Sequence, residues 1–371
     1  MAKLRLDFKK LIPVAVAVLS AAAAMAAVAS IKFVHQAEQY VRDFETAWFA
    51  SSEPQSTDIT IVAISEQTLK LFPYREPVDR KFLSDLLTKL AEWKPRAIAL
   101  DVLFDEPSDP AKDDELRSTI AHLTVPLVVS YVGDLDVVER GSGQDYLNAF
   151  VPPEDRVLAD IQTDPFDGTA RWVEPGHVVP GGTYVPGFAR GLLKKIGIDT
   201  PDENTAIAWR GYPPDANTQQ PFRQVPSDSV LNLKPAQADK IFKPMIAGKI
   251  VLIGADYSLT DRHRTPFITR WGDNRGILPG IVIHAHEFDG LLTGRRPPGL
   301  GSVIDFFTAL FLAALSAVLG VAKIPLPWRI VLATVGAAVW WVGGGALFHY
   351  TGVMLTLVTP TIAMAASMWG T

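Results

Sequence analysis

The sequence predicts an α/β fold, mainly a parallel sheet with crossover helices and an irregular insert, joined to four transmembrane helices. Three features point there. Residues 11–31, 303–321, 330–348 and 353–369 each come close to the roughly 20 apolar residues that cross a bilayer core, in a chain of 371 residues that is 48% hydrophobic. Near-continuous β-branched apolar runs at 58–65, 97–104, 125–132 and 249–256 read as strands buried on both faces. Amphipathic stretches separate the first three runs, the alternation that builds a parallel sheet through helical crossovers.

Basic residues set the expected orientation, because Lys and Arg near a span resist translocation. Lys3, Arg5, Lys9 and Lys10 precede the first span, and Lys323 and Arg329 flank the turn between the second and third. The expected layout is a cytoplasmic segment 1–10, a large outer domain 32–300, and a chain end returned to the cytoplasm. Arg295 and Arg296 go against this rule, standing outside just before the second span. The first span reads as an uncleaved anchor, although Ala27-Val28-Ala29 before Ser30 also offers a signal-peptide cleavage site.

Along the outer domain, residues 33–49 have helical spacing, with Val34, Ala37, Val41, Phe44 and Trp48 on one stripe; this is either a stalk continuing the anchor or a helix packed on the domain. After the strand at 58–65, Asp79 caps a helix that Pro95 stops, and Asp109 with Pro110 starts another after the strand at 97–104. The stretch 133–230 is rich in Pro, Gly and Asp and reads as an insert, interrupted by a helix at 188–197 and a strand-like run at 205–212. In the last strand, the apolar run KIVLI stops at Gly254 and gives way to a polar loop. A helix from His284 to Thr293 then leads almost directly into the second span. In the membrane, Ala333 and Ala337, or the Gly343-Gly344-Gly345 run, are small enough for close helix packing.

Ligands of open parallel sheets sit at the carboxyl ends of the strands. Here those ends carry Glu66, Asp101, Asp105, Glu106 and Asp256, followed by a loop with Asp261, His263 and Thr265. Asp101 lies inside an apolar strand, where a carboxylate needs a structural partner or a ligand. His284 is expected to hydrogen-bond at a strand-to-helix turn and His286 to be partly exposed. With His263 they lack the spacing of a metal site, and no metal or other cofactor is expected. There is no GxxxxGK[ST] loop, GxGxxG turn or GxSxG elbow, so the chain is not expected to be an enzyme. The absence of Cys excludes disulfides and thiolate sites. Residues 32–300 hold 29 Lys and Arg against 38 Asp and Glu, a formal balance of −9, which argues against nucleic acid as a partner.

DITIVAISEQTLKLF with PVDRKFLSDLLTKL, then RAIALDVLFDEPS, DPFDGTARW, GKIVLIGADYSLTDRHRTPF and PGIVIHAHEFDGLLTGR occur in that order. On these blocks residues 55–300 resemble the CHASE2 family of bacterial extracytoplasmic sensor modules, held between one N-terminal and about three C-terminal membrane helices. The resemblance implies a multi-pass protein of the bacterial inner membrane with its main domain in the periplasm. It further implies signal input from an unknown small molecule or envelope protein; the alternative is a scaffolding subunit of an envelope complex. The expected partners are the lipid bilayer and either a second copy or a heteromeric complex. Relatives commonly continue into a cyclase or kinase output domain. The resemblance brings no ligand set, so the candidates come from the residues themselves: Glu66, Asp101, Asp105, Arg171, Asp256, Asp261, His263, Thr265 and His284.

Overall fold

In a computed structural model that describes residues 8–132, 142–201, 203–215, 219–257, 261–295, 299 and 301–371, the apolar runs form one sheet. Its six strands are β1 (Ile59–Ser65), β2 (Ala97–Asp101), β3 (Leu127–Tyr131), β4 (Arg156–Leu158), β5 (Arg223–Pro226) and β6 (Ile250–Asp256). They lie in the order β5-β1-β6-β2-β3-β4, with every neighbour parallel. The chain passes from β1 to β2, leaving a gap that β6 later fills, and adds β5 on the far side of β1. The carboxyl ends of β1, β6 and β2 therefore lie side by side where the strand order reverses, the usual ligand position in such sheets.

Helices cover both faces, which is why the central strands are mainly apolar and buried along nearly their whole length. On one side Arg80–Glu92, Pro110–His122 and Pro235–Ile246 bury Leu83, Leu86, Leu116 and Ile246. On the other, Phe188–Lys195 and Gly280–Leu292 bury Phe188, Leu192, Ile281 and Phe288. Asp79 and Asp109 cap their helices as predicted, accepting from the Phe82 and Ala111 N–H groups at 2.9 Å each.

Several boundaries differ from the sequence reading, each for a packing reason. The second strand stops at Asp101, after which the Phe104 ring stacks on Phe150 at 4.4 Å. Only Thr205–Ala206 of the 205–212 run pairs as a strand; Trp209 and Tyr212 instead pack edge-on against Phe267. The insert supplies both edge strands, β4 and β5. The final helix of the domain, here the bridging helix, starts at Gly280, so His284 lies a turn inside it.

Among the described residues, three helices are long and apolar enough to cross a membrane: Ile12–Ser30, Ser302–Val321 and Leu326–Thr351. The expected fourth span is helical only over the 13 residues Val358–Gly370. That is about 20 Å of helix against a bilayer core of about 30 Å. Helix packing here uses Ala17, Ala21, Ala24, Ala309, Ala313, Ala317 and Ala363, small side chains that let backbones approach. Ala333 and Ala337 are outside that cluster, whereas Gly344 and Gly345 admit Leu357 and Phe49.

Residues Lys32–Phe49 form a stalk helix that also packs on the domain. Its polarity is inverted relative to the predicted stripe. Phe44 and Trp48 are exposed, and Glu38, Asp43 and Glu45 are buried. Two of these acids have dedicated partners: Asp43 meets Arg171, and Glu38 accepts from the Leu357 and Thr359 N–H groups at 3.1 and 2.8 Å, capping the last helix.

Gly254 is where the bridging helix presses on the sheet, since a Cβ there would lie 2.8 Å from Ile281 Cβ. Gly254→Val is expected to destabilise the chain by about 1–3 kcal/mol through overpacking. Thermal unfolding of the full chain in detergent reads this, and an unchanged midpoint would contradict the packing described.

Candidate functional site

A cleft of about 350 Å³ opens at the carboxyl ends of β1, β6 and β2. Asp101, Asp105, Glu106, Glu76 and Asp261 line it, with Tyr257 and Val78 among the remaining walls. Asp101 accepts from Ser130 Oγ at 2.8 Å, the partner its strand position requires. Burial pushes its carboxyl pKa up, while the charge of His284 and the Ser130 hydroxyl pull against that rise. Asp105 and Glu106 sit on the strap after β2. Arg80 holds this strap from below: fully buried, it stacks on Phe104 at 4.6 Å and donates to the Glu106 carbonyl at 3.1 Å.

Asp261 reaches the cleft from a short hairpin, Arg262–Arg264 paired antiparallel with Ile277–Pro279. Its backbone is left-handed (φ 54°), and its carboxylate lies over Gly280, where any Cβ would come within 2.4 Å of Oδ2. A glycine is thus needed at the first residue of the bridging helix. An anion at that helix end is stabilised by about 0.3–1 kcal/mol. His263 Nε2 bonds Asp261 Oδ1 at 2.9 Å, and Thr265 Oγ1 donates to the Gly276 carbonyl at 3.0 Å, closing the far end of the loop.

Behind the cleft, His284 is buried against Phe188, rings 4.3 Å apart, and its Nδ1 bonds Glu287 Oε2 at 2.8 Å. Burial opposes a charged ring, but Glu287, then Asp101 and Asp261, raise its pKa from the ordinary 6.5 to about 9. The imidazolium balances part of the acidic wall in front of it.

The match to the CHASE2 domain runs over residues 16–322, most of the chain and all of this sheet. The chain belongs to the CHASE2 family. CHASE2 is an extracytoplasmic sensor domain family, so the acidic cleft lies in a domain of the sensing type, outside the cytoplasm. Among curated proteins and among solved structures, nothing matches the chain.

Of the residues expected at the site, this CHASE2 domain brings together Asp101, Asp105 and Asp261, with His263 bonded to Asp261 and His284, bonded to Glu287, acting on Asp101 and Asp261 through its charge. Glu66 instead pairs with Arg75 at 3.0 Å, and Asp256 with Arg262 at 2.8 Å. Thr265 is fully buried in the hairpin. Arg171 does not line the acidic cleft: it is buried among Asp43, Asp164 and Asp167 and fastens the stalk helix. Glu76, Tyr257 and Arg80 were not anticipated. Glu76 and Tyr257 carry no local signal, and Arg80 follows an N-cap on a helix whose surface Lys and Asp residues suggest an exposed position. His286, expected to be partly exposed, is fully buried against Trp209 and Phe222.

Because the His284 pKa is raised on folding, its contribution to stability is complete below about pH 6.5 and lost as pH rises through about 9. The thermal midpoint is expected to fall by a few degrees across that window in the wild type and less in His284→Gln. Equal slopes in the two proteins would show that His284 is not charged in the folded state.

Proposed function

We propose that this chain is a signal-input module of a bacterial inner membrane, with its CHASE2 domain in the periplasm and both chain ends in the cytoplasm. The four apolar segments form the membrane part, the non-helical residues 353–357 adding to the 13-residue helix Val358–Gly370 the length that the fourth crossing needs. The acidic cleft recognises a small molecule or envelope peptide that presents a cationic or hydrogen-bond-donating group. The chain itself does no chemistry and takes no cofactor.

The observation that most supports transmission is the span of the bridging helix. Its first residue, Gly280, lies under the Asp261 carboxylate at the cleft. Near its other end Asp289 accepts from Arg210 at 3.2 Å and from Arg295 at 2.8 Å, and Arg295 also bonds Glu53 at 2.9 Å. Arg295, out of place by the charge rule, thus shares two carboxylates, Asp289 and Glu53, with Arg210, two acids balancing two guanidiniums. One rigid element therefore runs from the cleft to the residues preceding the second span. A ligand would shift that helix only by its difference in affinity for two positions of it.

Since the sequence has no Cys, Thr293→Cys gives a single label site at the end of the bridging helix. A membrane-impermeant maleimide added to spheroplasts is expected to label it. A panel of amines, polyamines and basic amino acids should contain members that change the labelling rate, an effect lost in Asp105→Asn. Labelling only after permeabilisation would contradict the orientation, and a constant rate across the panel would contradict recognition at the cleft.

A further inference from the structure

A second cavity, of about 240 Å³, lies between the hairpin and the β5 edge, and none of its lining residues belongs to the acidic cleft. Its chemistry is opposite. Asp256 is matched by Arg262 at 2.8 Å, which leaves Arg275 as the uncompensated charge. Among the described residues Arg275 makes no ion pair or hydrogen bond; its guanidinium only overlies the Trp271 ring at 5.7 Å.

His286 lines the same cavity with one nitrogen unused. Its Nδ1 accepts the Arg210 N–H at 3.1 Å, so in the neutral ring the proton sits on Nε2. Burial first, then the cations Arg295 and Arg210, keep the ring neutral. Nε2 is buried without a partner, an unmet donor of the kind that native interiors seldom leave. The ring is fixed in place by Trp209 at 4.9 Å and Phe222 at 4.8 Å. Tyr212 adds a hydroxyl that keeps its proton, since burial pushes its pKa up to about 12 even with Arg275 nearby.

We propose that this cavity binds a small organic carboxylate, with Arg275 taking its charge, His286 Nε2–H and Tyr212 Oη–H donating to it, and Phe222 and Leu278 covering its apolar body. One free guanidinium and two neutral donors balance a single negative charge; a dianion such as phosphate would remain half compensated and would leave the apolar wall uncovered. The site stands apart from the acidic cleft, so its failure would leave the sensor reading untouched.

The test is calorimetric titration of the full chain in detergent with acetate, butyrate and benzoate, each against its neutral amide and against inorganic phosphate at matched ionic strength. Saturable binding of butyrate or benzoate is expected, with the amide and phosphate weaker by about ten-fold or more. Arg275→Gln should cause a loss of the same size, and Arg264→Gln, outside the cavity, none. If Arg275→Gln does not fold, Tyr212→Phe, which removes only a donor hydroxyl, is the second variant, and it too should weaken binding. Amide or phosphate binding as tight as the carboxylate, no binding at all, or an unchanged affinity in the cavity variant would overturn the proposal.

Discussion

The buried guanidinium of Arg171 is the interaction on which the relation between domain and membrane depends. Its Nε and Nη2 donate to the two Asp43 oxygens at 3.1 and 2.6 Å, and its Nη1 and Nη2 to Asp167 at 3.0 and 2.7 Å. Asp164, 3.0 Å from Nη1, also holds His35 at 3.0 Å. Burial works against the charge of Arg171, and the Asp43 and Asp167 carboxylates more than reverse that, holding its pKa above the ordinary value. They also depend on it. Removing one member of such a set strands the others as buried charges, a cost of about 3–5 kcal/mol. The two stalk residues in this cluster, His35 and Asp43, are two turns apart, so the 164–171 turn grips the helix along its length.

The same helix holds the bundle with its next acidic residue. Glu38 caps the last helix, and Arg42 lies between Glu38 at 3.9 Å and Asp305 of the second span at 3.7 Å. The stalk helix is therefore a strut pinned at both sides, and the bridging helix is a second connection that begins at the cleft. Packed elements of this kind move as units between discrete positions, because cores resist continuous deformation. In the signal-input reading proposed above, a change at the acidic wall would pass toward the second span through Gly280 and Asp289, with the strut as the fixed reference.

Much of the fold was legible because its signals are local. β-branched runs, Asp caps and alternation of strand with helix are read within about 15 residues, and these predicted the parallel sheet. The acidic cleft lies at the strand ends and gathers Asp101, Asp105 and Asp261 along its wall. What was missed depends on partners remote in sequence. Arg171 and Asp43 are 128 residues apart, and Glu38 and Thr359 are 321 apart, so neither the inverted polarity of the stalk nor the structural role of Arg171 was visible. The bridging helix begins with Ile281, Val282 and Ile283, β-branched residues whose strand preference is overridden by packing on β6. His286 shows no outward sign of burial until its aromatic neighbours, drawn from three other segments, are brought around it.

The most direct test of this account is the distance between stalk and domain, measured by double electron–electron resonance on spin labels at Tyr40→Cys and Lys194→Cys. A single narrow distance distribution is expected in the otherwise wild-type chain, and a broad one in Asp43→Asn and Arg171→Gln variants that retain the domain's secondary structure. An equally narrow distribution in those variants would show that the buried ion cluster does not hold the domain to its strut.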